Sequence, residues 1–496
     1  MPDVPALRVR VMNDAPMQVG RDYVLYWMIA ARRTSWNFAL DRAAEHAHTL
    51  GKPLIVFEPL EVDYPWASAR LHRFVIDGMR DNAAAFAGTP VTYFPYVEPL
   101  PGAARGLLET LARSACVVVT DDFPSFFLPR VVAAAGARLD VRLEAVDGNG
   151  LIPMAAPGKV FTAAAFFRRY VQKELTTHLR HVPRAEPLLA LPRLGALPSW
   201  VTGTWAPAPG ALLAGDPSAL AALPIDHGVP PAAMHGGIRA AADALQAFVA
   251  HKLPRYGDMH NEPEVDATSR LSPYLHFGHL SPHQVFDRVM GHEGWSMRRV
   301  EGKPVTGARE GWWGVGASAE RFLDQLVVWR ELGYNMCAQR PDDYDKYESL
   351  PAWAQATLEK HASDPRPHTY DAATLENAAT ADPLWNAAQN QLRQEGWMHN
   401  YLRMLWGKKI LEWSPTPREA LDRMIAIMNR WALDGRNPNS YSGYFWTLGR
   451  YDRPWPERPV FGTIRSMSSV NTAKKISVRN FIAKYTQAAP QRNLPL

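Results

Sequence analysis

The stretch EGWMHNYLRMLWGKKILEW, residues 395–413, sets three tryptophans among a histidine, an arginine and two lysines. Indole is an easily oxidised ring, so a row of indoles can pass electrons. It is also a large apolar filler that usually serves a core. Met398, Leu402, Trp406, Ile410 and Trp413 recur three or four residues apart, which predicts one face of a helix. Trp406 and Trp413, seven residues apart, would share roughly that face about 10 Å apart along the axis. Spacing alone leaves packing and electron relay both open.

A second chemistry lies in charge. The chain of 496 residues has a net charge of +5, but residues 391–496 carry 17 Lys and Arg against 7 Asp and Glu. That segment is therefore +10 and the first 390 residues are −5. A basic C-terminal segment suits a polyanion. Residues 439–465, NSYSGYFWTLGRYDRPWPERPVFGTIR, interleave aromatic rings with arginines, the mixture that base stacking and phosphate neutralisation need. Other chemistries are excluded. Cys116 and Cys337 are the only cysteines, too few for a disulfide framework or a cysteine zinc site and suited to a reducing cytoplasm. HExxH and Walker-type loops are absent, no run of about 18 apolar residues predicts a membrane span, and the N-terminus lacks a secretory h-region.

The elements that must position these residues fall into three parts. Residues 1–155 alternate strand-like YVLYW (23–27), PLIVF (53–57), VTYF (91–94) and CVVVT (116–120) with stretches of helical spacing. Repeated β-α-β crossovers predict a doubly wound parallel sheet, an α/β domain of Rossmann-like class. No GxGxxG follows any strand, so a nicotinamide site is not expected. Residues 156–235 read as a linker with ten prolines between Pro183 and Pro231, expected to wrap the surface. Residues 236–496 read as all-α. Within them Thr416, Pro417 and Glu419 mark a helix start with a capping box.

The order of α/β domain, long linker and tryptophan-rich helical domain resembles the photolyases and cryptochromes. TSRLSPYLHFG (268–278), DPLWNAAQ (382–389), GWMHNYLRM (396–404), KKILEW (408–413), LDGRNPN (433–439) and ERPVFGTIR (457–465) look like the FAD-binding half of the class II cyclobutane pyrimidine dimer photolyases. RVRVMNDAP and YVLYWMIAARR near the N-terminus resemble the same class. The resemblance implies light-driven, FAD-dependent repair of UV-damaged DNA by electron transfer to a flipped-out pyrimidine dimer. It implies that Tyr256 and the run Thr268, Ser269, Arg270, Leu271 and Ser272 hold the FAD phosphates, for which hydroxyls and backbone N–H groups near a helix start are suitable donors. Asn386 and Asn439 are implied near the cofactor, and Arg403 with Asp434 as an ion pair on the isoalloxazine. Trp406, Trp385 and Trp413 match an electron-transfer chain, in that order from flavin to surface. Trp329, Met404 and Trp446 match positions that pack on the lesion, Asn261 a polar contact to it, and Trp455 and Arg465 residues that fill the gap in the duplex. The family allows an antenna chromophore, a deazaflavin or a folate, in the N-terminal domain, and no residue selects between them. No metal is implied, and a monomer is the default for this architecture.

The sequence departs from the class at three places. Gln325 stands where a lesion-facing glutamate is expected; it can donate a hydrogen bond but cannot supply a proton. His260 replaces an arginine, losing a fixed guanidinium fork. Met428 falls at the position of an asparagine facing the flavin, with Asn429 beside it, and a one-residue register shift would restore Asn429. These departures keep two alternatives open: a cryptochrome-like blue-light photoreceptor without repair, and repair of (6-4) photoproducts.

Overall fold

Strand alternation builds a two-faced sheet. The computed structural model describes residues 4–188, 191–194 and 197–486. The outer ends of the first and last domain ranges given above, and four residues of the proline-rich stretch, lie outside those residues. Six strands, β1 (Val9–Val11), β2 (Tyr23–Trp27), β3 (Leu54–Leu60), β4 (Thr92–Val97), β5 (Ala115–Asp121) and β6 (Leu143–Val146), form one sheet in the order β1-β6-β5-β2-β3-β4. All pairs are parallel except β1 with β6. The four strands expected from apolar runs are present, each within a few residues of its expected ends. β1 and β6, three and four residues long, carry too short a pattern to be read.

Helices α1 (Phe38–Leu50), α2 (Ala69–Phe86), α3 (Leu107–Ala112) and α4 (Leu128–Arg138) complete the crossovers. Val24 and Tyr26 of β2 point into the core shared with Phe38, Leu40 and Ala43 of α1. Leu25 and Trp27 point into the opposite core, with Leu107 and Leu111 of α3 and Val132 of α4. This is the period of two that puts successive side chains on opposite faces. Asn37 caps α1 by accepting from the N–H groups of Ala39 and Leu40, and Gly51 ends it in the left-handed region at φ 62°.

The chain divides into two compact units. One comprises Met1–Pro254, Ser269–Asp342 and Arg436–Asn439; the other Arg255–Thr268, Asp343–Gly435 and Ser440–Leu496. The proline-rich stretch belongs to the first, where Val201 joins the sheet's core and Leu212, Leu220 and Leu223 pack with Leu60, Val75 and Val97. A 15-residue helix, Ala164–His178, also lies within the range read as linker. In the second unit the Pro417–Trp431 helix starts as its sequence predicts, with Thr416 Oγ1 accepting from Glu419 N–H at 3.2 Å. The Glu419 carboxylate meets the Thr416 hydroxyl at 3.3 Å, so it bonds the capping side chain. No helix among the described residues is long and apolar enough to cross a membrane.

Candidate functional site

In the second unit, the helices Pro383–Glu395 and Asn400–Trp413 bring three indoles together. Trp385 stacks on Trp406 with ring centroids 6.4 Å apart and planes 4° from parallel. It meets Trp413 edge-on at 5.5 Å and 71°. Seven residues of helix separate Trp406 from Trp413 by about 10 Å, and Trp385 comes in from the neighbouring helix to touch both. The Trp385 indole N–H donates to the Trp406 carbonyl (3.0 Å), and the Trp406 N–H to Gln389 Oε1 (2.8 Å). Both ring orientations are thereby fixed. Gln389 is fully buried, and its carboxamide is too weak a base to take the indole proton, so an oxidised Trp406 would keep it.

The sequence placed Trp413 at the surface end of this row, and the structure corrects that. Trp413 is only 2% exposed. The segment before the Ala372–Glu376 helix covers it: Arg366 donates to the Ser414 carbonyl (3.0 Å) and Arg423 to the Tyr370 carbonyl (2.9 Å). The ring that Trp413 meets there is half-buried Tyr370, edge-on at 5.2 Å.

Arg403 and Asp434 form their expected pair, with Arg403 Nη2 at 2.8 and 3.0 Å from the two carboxylate oxygens and Nε donating to the Met398 carbonyl (3.1 Å). Met404 follows on the same helix, partly exposed. Asn386 is occupied differently from its expected place at a cofactor: both ends of its carboxamide hold Thr380, accepting from Thr380 N–H and Oγ1 and donating to its carbonyl. The Pro417–Trp431 helix runs without a break through Met428 and Asn429. Asn429 turns toward the hydroxyls of Tyr441 and Tyr444, each 3.4 Å away, and Met428 is buried beside it. Tyr256 and Thr268 are buried; His260 stacks on the Tyr256 ring at 4.9 Å, its Nδ1 2.8 Å from the Tyr256 carbonyl. Asn261, next to it, is partly exposed.

Trp446 is partly exposed on the Pro438–Thr447 helix, with the Lys408 ammonium 4.9 Å from its ring centroid. Trp455 and Arg465 come together through a hairpin. Trp455 N–H donates to the Thr463 carbonyl (2.8 Å), and Arg458 and Gly462 exchange both backbone bonds. The exposed Arg465 guanidinium then lies 5.0 Å from the Trp455 ring centroid. A groove of about 700 Å³ beside the hairpin is lined by Tyr401, Trp455, Phe461, Arg458, Arg465 and Lys475. Three rings and three cations share that lining with the carboxylate of Glu412, a mixture that suits a nucleic-acid strand.

In the first unit, a π-helical turn at Asp324–Trp329 spaces Gln325 and Trp329 one turn apart. They are the partly exposed residues of a stretch whose other members are buried, so they share a face. Ser269 Oγ accepts from the Leu271 N–H at 3.4 Å, Arg270 takes a left-handed φ of 54°, and Ser272 opens a helix of five residues. So short a helix offers little dipole, and a phosphate at this turn would rely on individual N–H and O–H donors. Asn439 is exposed, its N–H held by Asn437 Oδ1 at 2.9 Å.

The same unit encloses a cavity of about 120 Å³ among Trp27, Arg32, Tyr64, Phe123, Phe127 and His276. It lies past the carboxyl end of β2, whose neighbours β3 and β5 make it the strand where the winding reverses, the usual ligand position of such sheets. Asp121, ending β5, fixes the loop there: its Oδ2 accepts from the N–H groups of Ile29, Ala30 and Ala31, and its Oδ1 from Tyr26.

Relatives match this chain along nearly its whole length. A deoxyribodipyrimidine photo-lyase of Methanothermobacter thermautotrophicus is 32% identical over 480 residues, covering 97% of this chain and 98% of that protein. One from Oryza sativa subsp. japonica is 34% identical over 501 residues, covering 98% and 91%. The chain belongs to the deoxyribodipyrimidine photolyase family. It is an enzyme of that family, a lyase. A bacterial class III photolyase from Agrobacterium tumefaciens shares the photolyase fold, with a TM-score of 0.62 at 18% identity over 94% of this chain and 86% of that one. No protein-family model matches. Sequence reasoning missed three residues of this photolyase: Gln389, buried Lys408, and His361, which lies between the carboxylates of Asp364 and Glu457. The glutamine is visible as the last letter of DPLWNAAQ and Lys408 as the first of KKILEW, though nothing in either motif tells of their burial; His361 is a single polar residue with no pattern to mark it.

Proposed function

We propose that this photolyase is FAD-dependent and of class II type, and that it splits a cyclobutane pyrimidine dimer in UV-damaged duplex DNA. The observation that carries the reading is the buried, contiguous indole row in a chain aligned end to end with deoxyribodipyrimidine photo-lyases. The donor set fits FAD: a guanidinium–carboxylate pair for the isoalloxazine, and the hydroxyls and N–H groups of 268–272 for a pyrophosphate. Reduced FAD, when bound, supplies a light-excited one-electron donor. The chain's own part is to orient and to supply charge. Arg403 puts a positive charge beside the cofactor and Asp434 fixes its direction, while Trp406, Trp385 and Trp413 carry electrons inward. Trp329, Met404 and Trp446 offer flat or polarisable surfaces to the flipped dimer. An antenna chromophore, a deazaflavin or a folate, would belong to the N-terminal domain, and the aromatic cavity beyond β2, at about 120 Å³, has room for only part of one.

Gln325 favours one second reading, a photoreceptor without repair, because no acid stands at that position. Its carboxamide can still donate to a thymine carbonyl that gains negative charge, and one donor in a closed site stabilises such an anion substantially. Gln325→Glu is expected to raise repair per absorbed photon by about two- to tenfold at acid pH, where the carboxyl is protonated. The gain should fade as that carboxyl ionises and repels the anion. The assay is light-dependent loss of dimers on fully reduced enzyme with saturating dimer DNA. No repair by the wild type or by the variant would put the photoreceptor reading in its place.

Removing Arg465 tests the DNA face separately. Arg465→Ala should weaken duplex binding by about tenfold and single-strand binding much less, since only a duplex has a gap to fill. Equal losses on both would make Arg465 a phosphate contact. Binding of either form should fall with salt, because releasing counterions into a more concentrated solution gains less entropy.

A further inference from the structure

The hairpin that carries Trp455 and Arg465 is held within its own unit by a cluster centred on one histidine. His361 follows the Ala352–Lys360 helix, partly buried. Its Nδ1 lies 2.6 Å from Asp364 Oδ2 and its Nε2 2.8 Å from Glu457 Oε1. Ionised carboxylates only accept, so both ring nitrogens must carry a proton, and the geometry describes an imidazolium. Glu457 lies on the hairpin, two residues after Trp455. Asp364 also reaches the hairpin, accepting from Val460 N–H at 2.8 Å, and Thr357 Oγ1 accepts from Thr463 N–H at 2.9 Å. Gly462, at φ 54°, lets the hairpin backbone press onto this helix end: a Cβ there would overlap Thr357 Oγ1 and come within 2.8 Å of His361 Cδ2. One further cation faces the cluster closely, Lys360, whose Nζ is 2.6 Å from Glu457 Oε1; Arg366 acts more weakly on Asp364.

We propose that His361, as an imidazolium bridging Asp364 and Glu457, is the positioning residue of the 455–465 hairpin and makes its presentation to duplex DNA depend on a proton. The DNA part rests on the reading that Trp455 and Arg465 enter the duplex. The hydrogen bond that His361 donates to Glu457, then the one it donates to Asp364, holds its pKa above the ordinary histidine value. A raised histidine pKa contributes stability that is complete below the unfolded value and is lost as pH rises through the folded one. The clamp is therefore fully closed below the ordinary histidine range and opens as pH rises through the raised folded value. Neutral imidazole has one N–H, so one of the two carboxylates then loses its donor while Lys360 still holds Glu457.

The test is run on the full-length protein without DNA, by hydrogen exchange of the Arg458, Val460, Gly462 and Thr463 amides. Exchange is measured at about pH 6 and about pH 9, either side of the histidine range, and corrected for intrinsic rates. Wild-type protection should fall by about three- to tenfold between them, the size of one modest hydrogen bond. His361→Gln should show the lower protection at both pH values. Asp364→Asn keeps an acceptor for Val460 and should move the wild-type transition to lower pH, which serves if the first variant folds poorly. Dissociation constants for dimer-containing duplex, taken in parallel, should track protection in all three proteins. Wild-type protection that does not change with pH overturns the clamp. Protection that changes while duplex affinity stays flat upholds the clamp and overturns the hairpin's place in DNA binding.

Discussion

Phenylalanine in place of Trp406 is expected to slow light-driven reduction of bound FAD by about 100-fold or more, roughly 2.7 kcal/mol if expressed as a barrier. The expectation rests on what the substitution keeps. Phenylalanine retains a stacked ring against Trp385 and most of the buried area, but it is far harder to oxidise than indole. Folding and FAD content should therefore survive while the relay fails. Trp385→Phe should act as severely, because Trp385 alone touches both other indoles, and Trp406 is a full seven residues of helix from Trp413. Trp413→Phe should be milder, leaving two indoles in contact. Trp397 supplies the control: it lies in the same stretch but packs against His399 at 6.0 Å, outside the row. Trp397→Phe should leave photoreduction unchanged. The measurement is flavin absorbance during blue illumination with an external reductant. If Trp406→Phe reduces as fast as wild type, the three indoles are core packing and nothing more.

How much of this was legible in the sequence follows from how local each signal is. YVLYW marks β2 residue for residue because a buried strand is a continuous apolar run. Thr416 and Pro417 mark a helix start because capping is settled within four residues. β1 and β6 escaped because a three- or four-residue strand is defined by its partner. The Trp406–Trp413 spacing was legible, but the stacking that makes a relay is not a property of one helix. Trp385 lies 21 residues earlier and reaches Trp406 only through the packing of two helices. Burial of Trp413 was illegible for the same reason, since Arg366 and Arg423 lay a separate segment over it. Asn386 shows the reverse case. Its residue type suits a cofactor contact, yet both ends of its carboxamide are used by Thr380, six residues away. His361 had no pattern at all, and Lys408 opens KKILEW without any sign of its burial; each matters through partners that only the tertiary structure brings near.

Lys408 carries the second large effect. It is fully buried, donates to the Thr447 carbonyl at 2.7 Å, and lies against the Trp446 ring. Burial pushes its pKa down from 10.5 to about 7; Asp452 opposes that shift and Arg465 adds to it. Below about pH 7 the ammonium is charged in both folded and unfolded chains, and above about 10.5 it is neutral in both. Between these limits the unfolded chain binds a proton that the native one lacks, so stability rises with pH across the window. The rise expected from this one residue is on the order of 3–5 kcal/mol. Other groups titrate there too, so the measurement is a difference between wild type and Lys408→Met under urea. Methionine fills the same channel without a charge, and its cost, the Thr447 carbonyl left without a donor, is about 1–3 kcal/mol and does not depend on pH. Wild type should therefore gain on the variant by several kcal/mol from about pH 7 to about pH 10. If the two stability curves run parallel across that range, Lys408 is protonated throughout. The buried ammonium would then be held by the Thr447 carbonyl, the Trp446 ring and Asp452 strongly enough to cancel the cost of its burial.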